Sequence, residues 1–297
     1  MKRTVPAIAA LVAATAVWGS TFIVTKDSLD ELDPASFLTW RFGIGAVVLL
    51  LVRPRAVTLL NRADQRRSAA LGVALAAGFL LQTTGLQHTL AGVSGFLTGA
   101  AVILTPVVAA VFFKEQVGAA GWAAVALSAV GIGVLAGGLT AGSPVGAALT
   151  LAGAACFAVH ITGLSQWATR ENALGMTTVS VVVAAVICGV VAAAGVDGIT
   201  VPTSATAWRA AAYLGIVATC IGFAVQAWAQ AALTATTAAV VMTMEPFFAA
   251  VLAVALGESG LGWLGWAGGL LIVGGMTLAE LGPRECCDAM APRVECC

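Results

Sequence analysis

Glu245 interrupts an otherwise apolar run from about residue 235 to 256, and Pro246 follows it directly. Proline removes one helical hydrogen bond and leaves a carbonyl free beside the carboxylate. Such a pair suits the binding of a proton or a cationic group. Equally, Glu245 can stay protonated, or pair with backbone and Arg41, and serve only to fix a bundle. Arg41 stands in a second apolar run, 35–52, where it either reaches back to a polar boundary or meets a substrate carboxylate. His160 is a candidate for proton handling, since imidazole titrates near neutrality, although a lone histidine on an apolar helix also serves as a hydrogen-bonded packing residue. His88, at the end of an apolar run, reads as interfacial. Gln82, Gln87, Gln226 and Gln230 supply neutral polar lining or interhelical hydrogen bonds. Trp18, Trp167 and Trp228 suit a cavity wall or an interfacial belt, and Trp18 is the preferred cavity residue. The candidate binding or coupling set is therefore Glu245, Arg41, Trp18, His160, Gln82 and Gln226.

Other chemistries find less support. Gly92-Val93-Ser94-Gly95 has the G-x-S-G form of an intramembrane serine protease, which would pair Ser94 with a histidine on another helix. The pattern is short in a chain with 34 glycines, and small residues opening a packed helix explain it. No HExxH, P-loop or dinucleotide fingerprint occurs, and no cofactor is expected. Cys156, Cys188 and Cys220 sit singly in apolar runs as small packing residues. Cys286-Cys287 and Cys296-Cys297 lie in a polar tail without histidine or a recognised zinc spacing, so no metal site is assigned. A non-transporting membrane scaffold would have no need of Glu245 and Arg41 within apolar segments.

These side chains must be positioned by elements that the composition identifies. Of the 297 residues, 60% are apolar and only 9% charged, with fourteen basic and fourteen acidic side chains. Soluble domains carry about a quarter charged residues, so a cytosolic enzyme, a secreted disulfide scaffold and a disordered chain are excluded. With zero net charge and no basic stripe, nucleic acid is not an expected partner. The apolar runs are long and do not alternate, and in lipid every backbone amide must be satisfied within its own segment, so the runs are helices and not barrel strands. Ten segments can be marked, near 5–25, 35–52, 68–88, 92–113, 117–138, 145–166, 174–195, 208–230, 235–256 and 261–281. The first could be a signal peptide with a small-residue site at Ala14-Thr15-Ala16. Its apolar run continues to Val24, beyond a usual h-region of about 7–15 residues, and an uncleaved helix is expected.

Orientation follows from Lys and Arg. With the N-terminus in the cytoplasm, the inner side receives Lys2, Arg3, Arg53, Arg55, Arg62, Arg66, Arg67, Lys114, Arg170, Arg284 and Arg293. The outer side receives only Lys26 and Arg209, and the outer turn Asp27–Asp33 is acidic. Both termini are expected in the cytoplasm.

The two halves repeat. A shift of about 143–144 places Gln87 on Gln230, Glu115 on Glu258, Trp122 on Trp266 and Gly131 on Gly275, and a shift near 139 pairs Trp18 with Phe157. Five helices per half is an odd number, so the second half enters the membrane inverted, as in many secondary transporters. The expected architecture is an all-α polytopic membrane protein of ten transmembrane helices in two inverted five-helix repeats, 5–138 and 145–281, followed by a cytoplasmic tail, 282–297.

Trp18-Gly19-Ser20-Thr21-Phe22, Trp40-Arg41-Phe42, Ala91-Gly92-Val93-Ser94-Gly95-Phe96-Leu97-Thr98, Ala235-Thr236-Thr237-Ala238-Ala239, Met244-Glu245-Pro246 and Gly257-Glu258 occur in an order and spacing that resembles the EamA-type carriers of the drug/metabolite transporter superfamily. The resemblance covers about residues 7–280 as two units. One departure is Phe112-Phe113-Lys114-Glu115, where the usual glycine before the acid is missing. The resemblance implies a carrier that moves amino acids, metabolites or drugs, mostly outward, across a bacterial plasma membrane. Its partners would be a small-molecule substrate, the bilayer and, with a titratable site, protons.

Overall fold

The computed structural model describes residues 4–114, 118–137, 143–169, 171–230, 241–242, 244–257 and 262–281. Within them the chain is helical, with no strand. The elements are α1 (Thr4–Ser28), α2 (Pro34–Val52), a short α3 (Arg55–Thr58), α4 (Arg62–Leu86), α5 (Ala91–Phe113), α6 (Ala119–Gly137), α7 (Pro144–Trp167), α8 (Ala173–Ala194) and α9 (Ala205–Ala212). A π-helical stretch, Tyr213–Ile221, joins α9 to α10 (Gly222–Gln230), and α11 (Met244–Ala255) and α12 (Trp263–Leu281) complete the described elements.

Local chemistry places the helix starts. Pro34 and Pro144 open α2 and α7, where a missing N–H is harmless. The Asp33 carboxylate accepts from Ala35 and Ser36 N–H, both at 3.0 Å, Asn61 accepts from Asp64 N–H at 2.8 Å, and Ser204 accepts from Ala207 N–H at 3.0 Å. Each satisfies a donor that the first helical turn leaves without a partner. The missing glycine in the first half is visible in the backbone. Lys114 adopts φ 56° at the end of α5, and Gly257, its counterpart beyond α11, has φ 88°. Both turns need the left-handed region, which glycine occupies freely and lysine at a cost of about 1 kcal/mol.

Seven helices among the described residues are long and apolar enough to cross a membrane: Val5–Ser28, Pro34–Val52, Arg62–Leu86, Ala91–Phe112, Pro144–Leu164, Ala173–Ala194 and Ala205–Gln226. Ten were expected, and seven are found among the described residues. The apolar stretches Trp122–Gly131 of α6 and Trp263–Gly275 of α12 are shorter, and α11 follows residues 231–240, which lie outside the described residues. The tail 282–297, with its cysteine pairs, also lies outside them. Leu51, Val111, Phe112, Trp263 and Leu270 are exposed on the bundle, each more than two-thirds accessible. Polar Ser94, Thr150, Ser180 and Thr219 are buried inside it. An apolar exterior around a partly polar interior suits a hydrocarbon solvent.

Packing recurs between the halves. The repeat relates α1, α2, α4, α5 and α6 to α7, α8, α9–α10, α11 and α12. The pairing α5 with α7 then has its counterpart in α1 with α11, and α4 with α8 in α2 with the π-helical stretch. α4 with α7 likewise matches α1 with α10. The pairs α2–α8, α5–α11 and α6–α12 map onto themselves. Glycines permit the closest approaches: a Cβ at Gly131 would lie 2.8 Å from the Gly268 carbonyl oxygen, and one at Gly153 would lie 2.8 Å from that of Gly78.

Hydrogen bonds between the halves also join the helix ends. The Glu31 carboxylate, in the α1–α2 turn, accepts from the Thr203 N–H, the Thr203 hydroxyl at 2.9 Å and the Ser204 N–H at 3.0 Å. The Thr200 hydroxyl donates to Asp33 at 3.1 Å, and the Trp40 indole donates to the Thr200 carbonyl at 2.9 Å. At the other end, Asp64 accepts from Asn172 at 3.3 Å. Hydrogen bonds from Ser204 first, then Thr203, hold the Glu31 carboxyl down at about 2, against 4.5 in the free group. A depressed carboxyl stabilises the fold through its charged form. That contribution is complete above pH 4.5 and is lost as pH falls toward about 2. In detergent, Glu31→Gln should lower the melting temperature at pH 6 and flatten its decline between pH 5 and 3, a window that brackets carboxyl titration. An unchanged slope would show that the turn is held by other contacts.

Candidate functional site

One cavity of about 110 Å³, several times the space a single water needs, lies inside the bundle. Trp18, Thr21 and Phe22 reach it from α1, Arg41 from α2, and Leu75, Phe79 and Gln82 from α4. Thr98, Gly99 and Ala101 line it from α5, Phe157, His160 and Ile161 from α7, and Phe223 and Gln226 from α10. Met242, Glu245 and Pro246 complete the wall. The six side chains singled out by type therefore share one cavity, although they are spread from residue 18 to residue 245.

Arg41 is 3% exposed, so its side chain does not reach back to the bundle surface. Its Nε donates to the Thr219 hydroxyl at 3.3 Å, and its guanidinium carbon lies 4.6 Å from the centre of the Phe79 ring. A guanidinium carries five N–H donors. Among the described residues no acceptor meets the other four. Glu245 brings a carboxyl group to the same cavity. Among the described residues, its carboxylate makes no hydrogen bond and no ion pair with Arg41 within 4 Å. The Arg41 guanidinium and the Glu245 carboxyl thus line one small space without touching each other.

The remaining candidates are held more firmly. Trp18 donates its indole N–H to the Ala218 carbonyl at 2.9 Å and packs on Phe223 with ring centres 5.9 Å apart. A Cβ at Gly222 would lie 2.7 Å from the Trp18 Nε1, so glycine is what admits the indole there. His160 Nδ1 lies 3.0 Å from the Leu71 carbonyl. A carbonyl only accepts, so Nδ1 carries the proton in this contact and a neutral ring leaves Nε2 as an acceptor. Gln82 donates to the Thr98 hydroxyl at 2.7 Å, and Gln226 makes a weak contact with the Met242 sulfur at 3.9 Å. Phe42, Phe79 and Phe157 form a chain of edge-to-face contacts at 5.0 and 4.9 Å that backs the Arg41 side of the cavity.

Several residues considered alongside these go elsewhere. Gln87 and His88 are exposed at the end of α4, Trp228 is 51% exposed, and Trp167 stacks near Arg67 at 5.4 Å. The side chain of Gln230 and the segment Ala235–Ala239 lie outside the described residues. Ser94 is fully buried with its hydroxyl 3.4 Å from that of Thr150, and neither histidine is its partner. Sequence reasoning did not single out Phe79, Phe157, Thr98, Met242 or Thr219. Phenylalanine and threonine are ordinary constituents of apolar helices, so their types carried no signal; the repeat pairing of Trp18 with Phe157 was the one available hint.

The model of the EamA-like transporter family matches the chain twice, over residues 5–137 and 144–280. An uncharacterized transporter of Archaeoglobus fulgidus is 31% identical over 156 residues, which is 52% of this chain and 48% of that protein. The alignment thus spans about half the length of this curated relative. A solved crystal structure superposes with a TM-score of 0.65 over 92% of this chain and 96% of the other, at 17% identity, a likeness of fold alone. With two family matches over nearly its whole length and an apolar helical bundle around a partly polar cavity, the chain belongs to the EamA-like transporter family of the drug/metabolite transporter superfamily and is a multi-pass membrane protein.

Proposed function

We propose that the protein is a secondary transporter that exports small metabolites, amino acids or drug-like compounds across the plasma membrane by alternating access. The observation that carries this reading is the shared cavity, which draws its walls from both halves and holds Arg41 and Glu245 without partners, among the described residues, for most of their polar atoms. A substrate with a group of either charge would supply those partners. In this reading the chain crosses the membrane ten times, both termini face the cytoplasm, and 5–138 and 145–281 are inverted units. The matched packing pairs of the two halves support that arrangement, because rocking of one unit against the other would expose a site between them to either side. Glu245 and His160 are the groups proposed to exchange protons. Ser94 has no such setting, and a hydrolytic role is not favoured.

Reconstitution into liposomes tests the reading. Preloaded vesicles should accumulate at least one member of a panel of radiolabelled amino acids and cationic drugs by counterflow. Protein-free vesicles should not. Absence of counterflow for every compound, with protein inserted and monodisperse, would overturn transport of these classes. A C-terminal reporter active only in the cytoplasm should give signal and one at Gly142 should not; signal at Gly142 would remove the inverted arrangement.

A further inference from the structure

We infer that Thr219 is a positioning residue, which aims the guanidinium of Arg41 into the cavity. The inference rests on the reading of Arg41 as a substrate-binding group. Orienting a planar group requires contacts on two of its sides. The Nε–H of Arg41 meets the Thr219 hydroxyl at 3.3 Å, which supplies the first. The Phe79 ring, 4.6 Å from the guanidinium carbon, supplies the second. Together they leave the terminal N–H fork turned to the cavity, the geometry that recognises a carboxylate or phosphate oxygen pair.

Thr219 is itself held for this task. Arg41 and Gly45 stand four residues apart on one face of α2, and Thr219 sits across that face. A Cβ at Gly45 would lie 2.9 Å from the Thr219 methyl and 3.0 Å from the Gly215 carbonyl oxygen, so α2 and the π-helical stretch touch through bare backbone. With its methyl packed at Gly45, a β-branched side chain has little freedom about χ1, and its hydroxyl is left toward Arg41. Thr219 is 0% exposed, and no second acceptor for the Nε–H appears among the described residues. The preceding residue, Ala218, receives the Trp18 indole N–H. Consecutive residues of the π-helical stretch thus register side chains from α1 and α2. π-helical turns are uncommon and recur at functional sites.

Thr219→Val replaces the hydroxyl by a methyl of similar size, and Thr219→Ser keeps the acceptor. Two measurements separate the inference from the reading beneath it. The first needs no substrate: in detergent, with ¹⁵N-arginine labelling and the Arg41 signal assigned by its loss in Arg41→Lys, the Nε proton should exchange with water about tenfold faster in the valine variant and near the natural rate in the serine variant. The second is counterflow of the panel compound that gives the largest uptake. Valine should raise KM about tenfold at unchanged maximal rate, with a lower melting temperature because a buried N–H loses its acceptor, and serine should restore both. If valine disturbs insertion, Thr219→Ala lacks the acceptor equally and should show the same KM. Natural exchange and KM in the valine or alanine variant, beside an impaired Arg41→Lys, would overturn the inference alone. Equal impairment by valine and serine would assign Thr219 to packing and overturn it too. Wild-type kinetics of Arg41→Lys would overturn the reading of Arg41, and the inference with it.

Discussion

Replacing Glu245 by Gln should leave the protein folded and abundant while transport falls by about tenfold or more, or loses its dependence on pH. Glutamine preserves the size of the side chain and its capacity to hydrogen bond, and removes only the titration and the charge. The carboxylate lines the cavity and has no hydrogen-bonding partner among the described residues, so its polar atoms are available to a proton or a cationic group. A hydrogen bond involving a charged group contributes about 1.5–3 kcal/mol, and about 1.4 kcal/mol is tenfold. Glu245→Ala should be as inactive and should also lower the melting temperature, because it opens space beside Pro246. The measurement is counterflow across pH 5.5–8, a range that brackets shifted carboxyl and imidazole titrations. Wild-type rates for the glutamine variant throughout that range would make Glu245 structural. The search for the coupling group would then move to His160, whose Nε2 has no partner among the described residues.

Arg41→Lys should raise KM by about tenfold to a hundredfold. Lysine keeps the charge but has no fork, cannot present two parallel donors, and is a more strongly hydrated point charge beside Phe79. A small change in KM would mean that Arg41 acts as a point charge. Arg41→Met should in addition lower the melting temperature, since it leaves Glu245 in the cavity without its counter-charge. Combining Arg41→Met with Glu245→Gln removes both charges. The double variant should recover stability relative to the single methionine variant and remain inactive. That pattern would show that each group is destabilising without the other, and that transport needs at least one of them. Should the double variant be no more stable than the single one, the two groups act independently across the cavity.

The amino-acid sequence by itself determined that this is a helical membrane protein with two related halves, and it singled out six side chains that line one cavity. The reason is energetic: an ionisable or amide side chain in an apolar run costs enough to stand out from its neighbours, and Glu245, Arg41, His160, Gln82 and Gln226 were legible on that ground. Trp18 was legible through its size and its place in the motif Trp18-Gly19-Ser20-Thr21-Phe22. The starts of α2 and α7 fall within a residue of the expected 35 and 145, where Pro34, Pro144 and the acceptors that cap them act over only a few residues. Tertiary structure alone decided that residues on α1, α2, α4, α7, α10 and α11 meet in one space, since nothing local records which faces of separate helices converge. It likewise decided between the two destinations of Arg41. A side chain of that length can reach either a bundle surface or an interior, and only the position of Phe79 and Thr219 turned it inward. The π-helical stretch had no local signal, as Tyr213–Ile221 is an ordinary apolar sequence. Its wider turn is set against α2, where Gly45 and Gly215 bring two backbones into contact. Phe157, Thr98 and Met242 entered the cavity wall for the same reason. Apolar and hydroxyl side chains are at home anywhere in such a helix, and only packing assigns them to a site.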